Sequence, residues 1–207
     1  LIFFKRKEVA LMALSFGALF MVGFEAWLGK LVVDGNLIEH SITYHMLGSL
    51  ALVVLLSIMV FRMRTHHESY AAIPRRLRTL TFFLIVMIFI QIILGTQVRE
   101  QVDVVAKTTM DRDAWIGMLP SIFLVHRSFS ILLVLVGIII YRAIQRMVVP
   151  IQLKLTLVVL GVEILTGIVL AYLGMPALAQ PVHLLLGVLG FALSFYAWMH
   201  IRFSTSS

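Results

Sequence analysis

Residues 153–173 read LKLTLVVLGVEILTGIVLAYL. The run is as long as the ~20 mostly apolar residues that carry a helix across a bilayer's hydrocarbon core. It lacks the strict alternation of a barrel strand. Backbone groups in hydrocarbon must be satisfied inside the segment or in a closed barrel, so the run predicts a spanning helix. Its one charge away from the ends is Glu163, and Gly167 follows four residues later on the same helical face.

Working outward, five more apolar blocks lie at about 8–33, 42–61, 79–98, 118–141 and 182–201. The breaks between them are chemical. Asp34-Gly35-Asn36 ends the first block, and the stretch from Arg62 to Arg78 carries five arginines. Residues 99–117 form the longest polar loop, Arg142 to Lys154 is a basic turn with Pro150, and Gly174, Pro176 and Pro181 part the last two blocks. The composition agrees: 61% hydrophobic, 13% charged, mean hydropathy +1.03. A soluble domain is about half apolar and about a quarter charged. The first block is too long, and too interrupted by Glu25 and Lys30, for an ordinary signal peptide. The expectation is an all-α integral membrane protein with six transmembrane helices.

The net charge of +7 invites a nucleic-acid partner, but its placement argues for a membrane surface and no nucleic acid. With the N-terminus inside, twelve of the seventeen basic residues fall on the inner side: Lys5, Arg6, Lys7, Arg62, Arg64, Arg75, Arg76, Arg78, Arg142, Arg146, Lys154 and Arg202. The outer side mixes Lys30, Arg99, Lys107, Arg112 and Arg127 with Asp34, Glu39, Glu100, Asp103, Asp111 and Asp113. This is a positive-inside pattern with a cytoplasmic N-terminus. The chain has no cysteine, which excludes disulfides, thiolate metal sites, iron–sulfur centres and covalent c-type haem.

Glu25, Gly29 and His45 recur as Glu163, Gly167 and His183, each at an offset of 138 residues. Both copies read as a helix with Glu-x-x-x-Gly, a short outer loop, then a histidine near the start of the next helix. Gln91 and Gly95 echo the first half of the pattern on the third helix. Such symmetry follows from duplication of a bundle. The second copy is preceded by the helices at 79–98 and 118–141 and the first by none. The division is therefore 1–67, the last two helices of one half, and 68–207, a complete four-helix half. The missing helices are expected ahead of Leu1. The glycines also suit close helix packing.

His126 and His183 begin helices that start outside and run inward, so their imidazoles fall at one depth. An ionisable residue inside a membrane is costly unless it is paired or ligated. Two facing imidazoles suit a six-coordinate b-type haem. Histidines hydrogen-bonded across helices remain an alternative, and zinc is another, although an open zinc site usually takes three protein ligands. Arg127 and Arg99 lie near enough the outer end to meet haem propionates, planar carboxylates suited to bidentate arginine; a solvated outer charge is the plainer role for either. His45 matches His183 but has no counterpart of His126 in the chain. His66, His67 and His200 read as inner-surface residues and not ligands. Glu25 and Glu163 read as protonated or bonded to a polar group across the bundle. Tyr44, Trp27, Trp115 and Tyr172 read as an aromatic belt.

The order of these pieces resembles haem A synthase, a bacterial and mitochondrial inner-membrane family of eight helices in two pseudo-symmetric halves. The resemblance covers almost the whole chain, placed on family helices three to eight. It is carried by Gln91-Ile92-Ile93-Leu94-Gly95-Thr96-Gln97-Val98-Arg99, by His126-Arg127, by Gly161 through Gly167, and by His183 and His45. It implies oxidation of a ring methyl group of haem O to a formyl group, giving haem A for cytochrome oxidase. It further implies haem b between His126 and His183 for electron transfer, and His45 as a ligand of the substrate haem O or haem A in the other half. Implied partners are haem O synthase, cytochrome oxidase or a quinone-linked electron donor, in the bacterial inner (plasma) membrane. The catalytic glutamate of the family would lie on a helix upstream of Leu1, so the catalytic residue is unassigned. Departures are the two absent helices, the lack of an outer-loop cysteine pair that many bacterial members carry, and Glu100 after Arg99. With Leu1 as the true start, the chain would be a haem-b protein only. Rival readings are a membrane b-type cytochrome exchanging electrons with quinone, a non-catalytic haem-binding subunit of a respiratory assembly, and a transporter built on the repeat.

Overall fold

The computed structural model describes residues 2–34, 40–64, 70 and 73–203, with side chains from residue 8 onward. Among them every regular element is helical: α1 (Ile2–Asp34), α2 (Ser41–Met63), α3 (Arg75–Ala106), α4 (Arg112–Met118), α5 (Ile122–Ile144), α6 (Ile151–Tyr172) and α7 (Ala179–Phe203). All but α4 are long and apolar enough to cross a membrane, which makes this a multi-pass membrane protein of six spans. Large apolar side chains point away from protein along the spans: Phe20, Leu165 and Leu185 are each more than 60% exposed. In water each would forfeit roughly 1.5–3 kcal/mol of burial; against lipid tails they forfeit nothing. Buried hydroxyls are satisfied on their own helix, as hydrocarbon demands. Thr81 donates to Leu77 O, Thr156 to Gln152 O and Ser194 to Phe191 O.

The chain divides into two compact units, Leu1–Glu68 and Ser69–Ser207. In the first, α1 packs along α2. In the second, α3, α5, α6 and α7 contact one another in cyclic order, α3 to α5 to α6 to α7 and back to α3. Prolines stand immediately before α3 (Pro74) and α6 (Pro150). There their missing N–H is one the helix start would leave unpaired anyway.

Several expectations need correction. Residues 99–117 are not a loop. Helix α3 runs on to Ala106, and α4 is started by Asp111, whose carboxylate accepts from Asp113 N at 3.1 Å. Trp115 does not belong to an exposed belt. It is 6% exposed, donates from Nε1 to Thr109 O at 3.1 Å, lies under the Arg112 guanidinium, and packs with Val102, Val105 and Met175. The polar stretch therefore folds into a small apolar cap at the α4 end of the unit. Trp27, Tyr44 and Tyr172 are exposed, as a belt requires. The cap also holds the α6–α7 turn. Arg112 donates to Met175 O at 2.7 Å, and Gly174 takes φ +64° with Asp113 Oδ1 so close that a Cβ would collide with it. His200 is not a surface residue. It is 2% exposed, edge-on to Tyr196 and Tyr70. Glu39, His66, His67 and the Lys5-Arg6-Lys7 side chains lie outside the described residues.

Candidate functional site

Three helix pairs build the same small arrangement. In α1 and α2, the edge of the His45 imidazole rests on Gly29, where a Cβ would stand 3.4 Å from Cε1. In α3 and α5 the His126 ring rests on Gly95 (3.2 Å), and in α6 and α7 the His183 ring rests on Gly167 (3.3 Å). Glycine supplies the close approach; any side chain there would push the ring outward. One turn before each glycine a polar residue on the same face reaches the ring it carries: Glu25, Gln91 and Glu163. The Glu25 Oε2 to His45 Nδ1 distance is 3.0 Å and the Glu163 Oε1 to His183 Nδ1 distance is 3.3 Å. Gln91 donates from Nε2 to the backbone carbonyl of His126 at 3.1 Å, and the same nitrogen stands 3.5 Å from His126 Nε2.

The second unit brings two of these rings together. His126 and His183 lie with centroids 6.5 Å apart and planes at 79°. Both are partly buried. His126 Nδ1, Gln91 Oε1 and Glu163 Oε2 are buried without a hydrogen-bond partner among the described residues. In hydrocarbon such atoms are costly. Among the described residues no group of three or more His, Cys, Asp or Glu is placed to hold a metal ion. What the site offers is two neighbouring imidazoles set nearly edge-on, not a tetrahedral cage.

The arginines stand apart from the rings. Arg99 forms an ion pair with Asp103 at 2.8 Å, one turn on along α3. Arg127 is exposed and its guanidinium lies over the Phe123 ring of its own helix, 5.9 Å from the centroid. The first unit contains His45 with Glu25, and Ser49 donates to Glu25 Oε2 at 2.6 Å. Thr166, absent from the sequence reading, has its hydroxyl 2.9 Å from His183 Nδ1. Its only sequence signal was its place inside the repeated Glu-x-x-x-Gly, just before Gly167.

A family model described as COX15-CtaA, cytochrome oxidase assembly protein, matches residues 1–195. The chain belongs to this family. The COX15-CtaA match runs through all three helix pairs and includes every histidine of the candidate site. It associates the chain with haem A synthase-type proteins. No curated protein and no solved structure matches the chain.

The Glu25 carboxylate fills the space over Gly48, where a Cβ would collide with Oε1. Gly48→Ala is therefore expected to push this buried carboxylate off Ser49 and His45. The overpacking amounts to about 1–3 kcal/mol, with a further loss from the broken hydrogen bond. Thermal unfolding in detergent should show the drop, and Gly23→Ala should not, because nothing lies within 4 Å of a Cβ at Gly23.

Proposed function

We propose that this chain works in haem A synthesis as a membrane oxidoreductase, taking haem O to haem A, with a haem b held between His126 and His183. The observation that carries the reading is the facing pair of imidazoles in a member of the COX15-CtaA family. A metal–imidazole bond is about 2 Å, so two rings on opposite sides of one ion stand roughly 6 Å apart between centres. The 6.5 Å found here suits that. Gly95 and Gly167 supply the thin helix faces on which the rings sit, and the buried, unpartnered His126 Nδ1 suits a ring awaiting a bonding neighbour. The residues present therefore fit the group.

When bound, haem b supplies one-electron transfer. The protein's part is to present two nitrogens, keep their rings on glycine, and exclude water with the apolar spans. His45, carried by Glu25 on the companion helix pair, is assigned to the substrate haem. Arg99 and Arg127 are assigned to propionates; each would leave its present partner, Asp103 or Phe123, to make that contact.

The test uses cells expressing the complete gene. Extracted pigment should contain haem A, and a His45→Ala strain should accumulate haem O in its place. Haem O alone in the parent strain, beside a normal b-type spectrum, would replace this reading with that of an electron carrier.

A further inference from the structure

The two copies of the repeat differ in who holds the histidine. In the first, the companion hydroxyl is Ser49, on the histidine's own helix, and it is spent on the glutamate. The position equivalent to Ser49 in the second copy is Gly187. There the hydroxyl comes from Thr166, on the glutamate's helix, at the place where the first copy has Leu28. It bonds the imidazole instead. Glu163 has no counterpart of Ser49; like Glu25 it keeps one oxygen near the ring, with the other buried and without a partner among the described residues.

The partners of the Thr166 hydroxyl bear on where the ring proton lies. A threonine hydroxyl has one proton to donate. Thr166 Oγ1 donates it to Glu163 O, 2.8 Å away on its own helix. Toward His183 Nδ1, at 2.9 Å, the hydroxyl can then only accept. The second neighbour of Nδ1, Glu163 Oε1 at 3.3 Å, accepts as well when its carboxyl is ionised. With the hydroxyl accepting, the ring nitrogen beside it carries the hydrogen. The lone pair is left on Nε2.

We propose that Thr166 is the positioning residue of His183: by spending its own proton on the α6 backbone it fixes the Nδ1–H tautomer, and it stands between the imidazole and full dependence on the Glu163 carboxylate. A partner on the far nitrogen sets how strongly a ligating imidazole gives electrons to a metal, and a carboxylate raises that basicity more than a neutral hydroxyl does. Thr166 thereby sets the two copies apart: His45 leans on a carboxylate alone, while His183 shares its hydrogen with a neutral oxygen first. A histidine serving electron transfer is thus held as a weaker donor than its twin. The tautomer follows from the protein's own atoms; the consequence for potential rests on the proposed haem b.

Two measurements on the full chain in detergent separate these layers. In haem-free protein labelled with 15N-histidine, with the His183 signal identified by its loss in His183→Gln, the shifts should report Nδ1–H. An Nε2–H tautomer would overturn the proposal whatever binds there. In haem-loaded protein, Thr166→Val should keep its b-type band but shift the midpoint potential downward and alter the ferric EPR signature, because Glu163 becomes the sole acceptor. Thr166→Ser should restore both. Thr166→Ala provides the same comparison if valine packs poorly. Glu163→Gln should reverse most of the downward shift in the Thr166→Val background. A loaded Thr166→Val or Thr166→Ala protein with unmoved potential and EPR, or a serine variant that fails to restore them, overturns the potential-setting role. A parent without any b-type band overturns the proposed function, and the tautomer result then stands alone.

Discussion

Purified His183→Ala and His126→Ala proteins are each expected to lose the b-type band from a reduced-minus-oxidised spectrum. The ring centroids lie 6.5 Å apart, and under the proposed function each variant removes one of the two ligands. Loss of an outer-shell partner alone typically lowers metal affinity about 10–100-fold; loss of a ligand itself must exceed that. His200→Ala separates a haem effect from a folding effect. His200 is more deeply buried than either His126 or His183 but sits 17 residues beyond His183 along α7, about 25 Å away at the helical rise. That variant should unfold more readily yet keep the band while folded. An unchanged spectrum in the double variant His126→Ala/His183→Ala would end the assignment.

The second large effect is expected at Gly167. A Cβ there would stand 3.3 Å from His183 Cε1, so alanine forces the ring to give by a few tenths of an ångström. Valine adds two methyl groups aimed into the same space and should displace the imidazole outright. Overpacking of this kind amounts to about 1–3 kcal/mol, and here it falls on the ring that must stay in line with His126. Haem-to-protein ratio should fall partly in Gly167→Ala and nearly to zero in Gly167→Val. Gly161→Ala, on the same helix with nothing within 4 Å of its Cβ, should leave the ratio unchanged. Equal haem content in Gly167→Val and Gly161→Ala would show that the ring does not depend on the glycine.

Much of the candidate site is legible in the sequence alone. The 138-residue offset paired Glu25 with Glu163, Gly29 with Gly167 and His45 with His183, and an i, i+4 spacing put each polar residue and glycine on one face. What the spacing left open was the partner of each glutamate. Oxygens and nitrogens that meet across a helix pair depend on how far each helix is rotated about its axis. Apolar residues on every face make that rotation unreadable from hydropathy. Arg99 and Arg127 illustrate the same gap. Their closeness to the ends of α3 and α5 was plain, but Asp103 and Phe123 hold them by contacts within a turn of the helix that the sequence offered no reason to prefer. Trp115 was misjudged because a polar stretch can bury one aromatic ring by folding over it.

By itself the sequence determined that six segments span a membrane, about where each lies, and that two of the helix pairs share one pattern. Lipid imposes this: a chain in hydrocarbon must close its own hydrogen bonds over a fixed thickness, and that requirement is written in length and composition. Only the tertiary structure decided that His126 meets His183, that Thr166 takes Nδ1, and that the stretch before α5 is a packed cap. Those outcomes follow from side-chain shape at helix contacts, where a glycine or a hydroxyl at one position sets the approach of a ring 16 to 31 residues away.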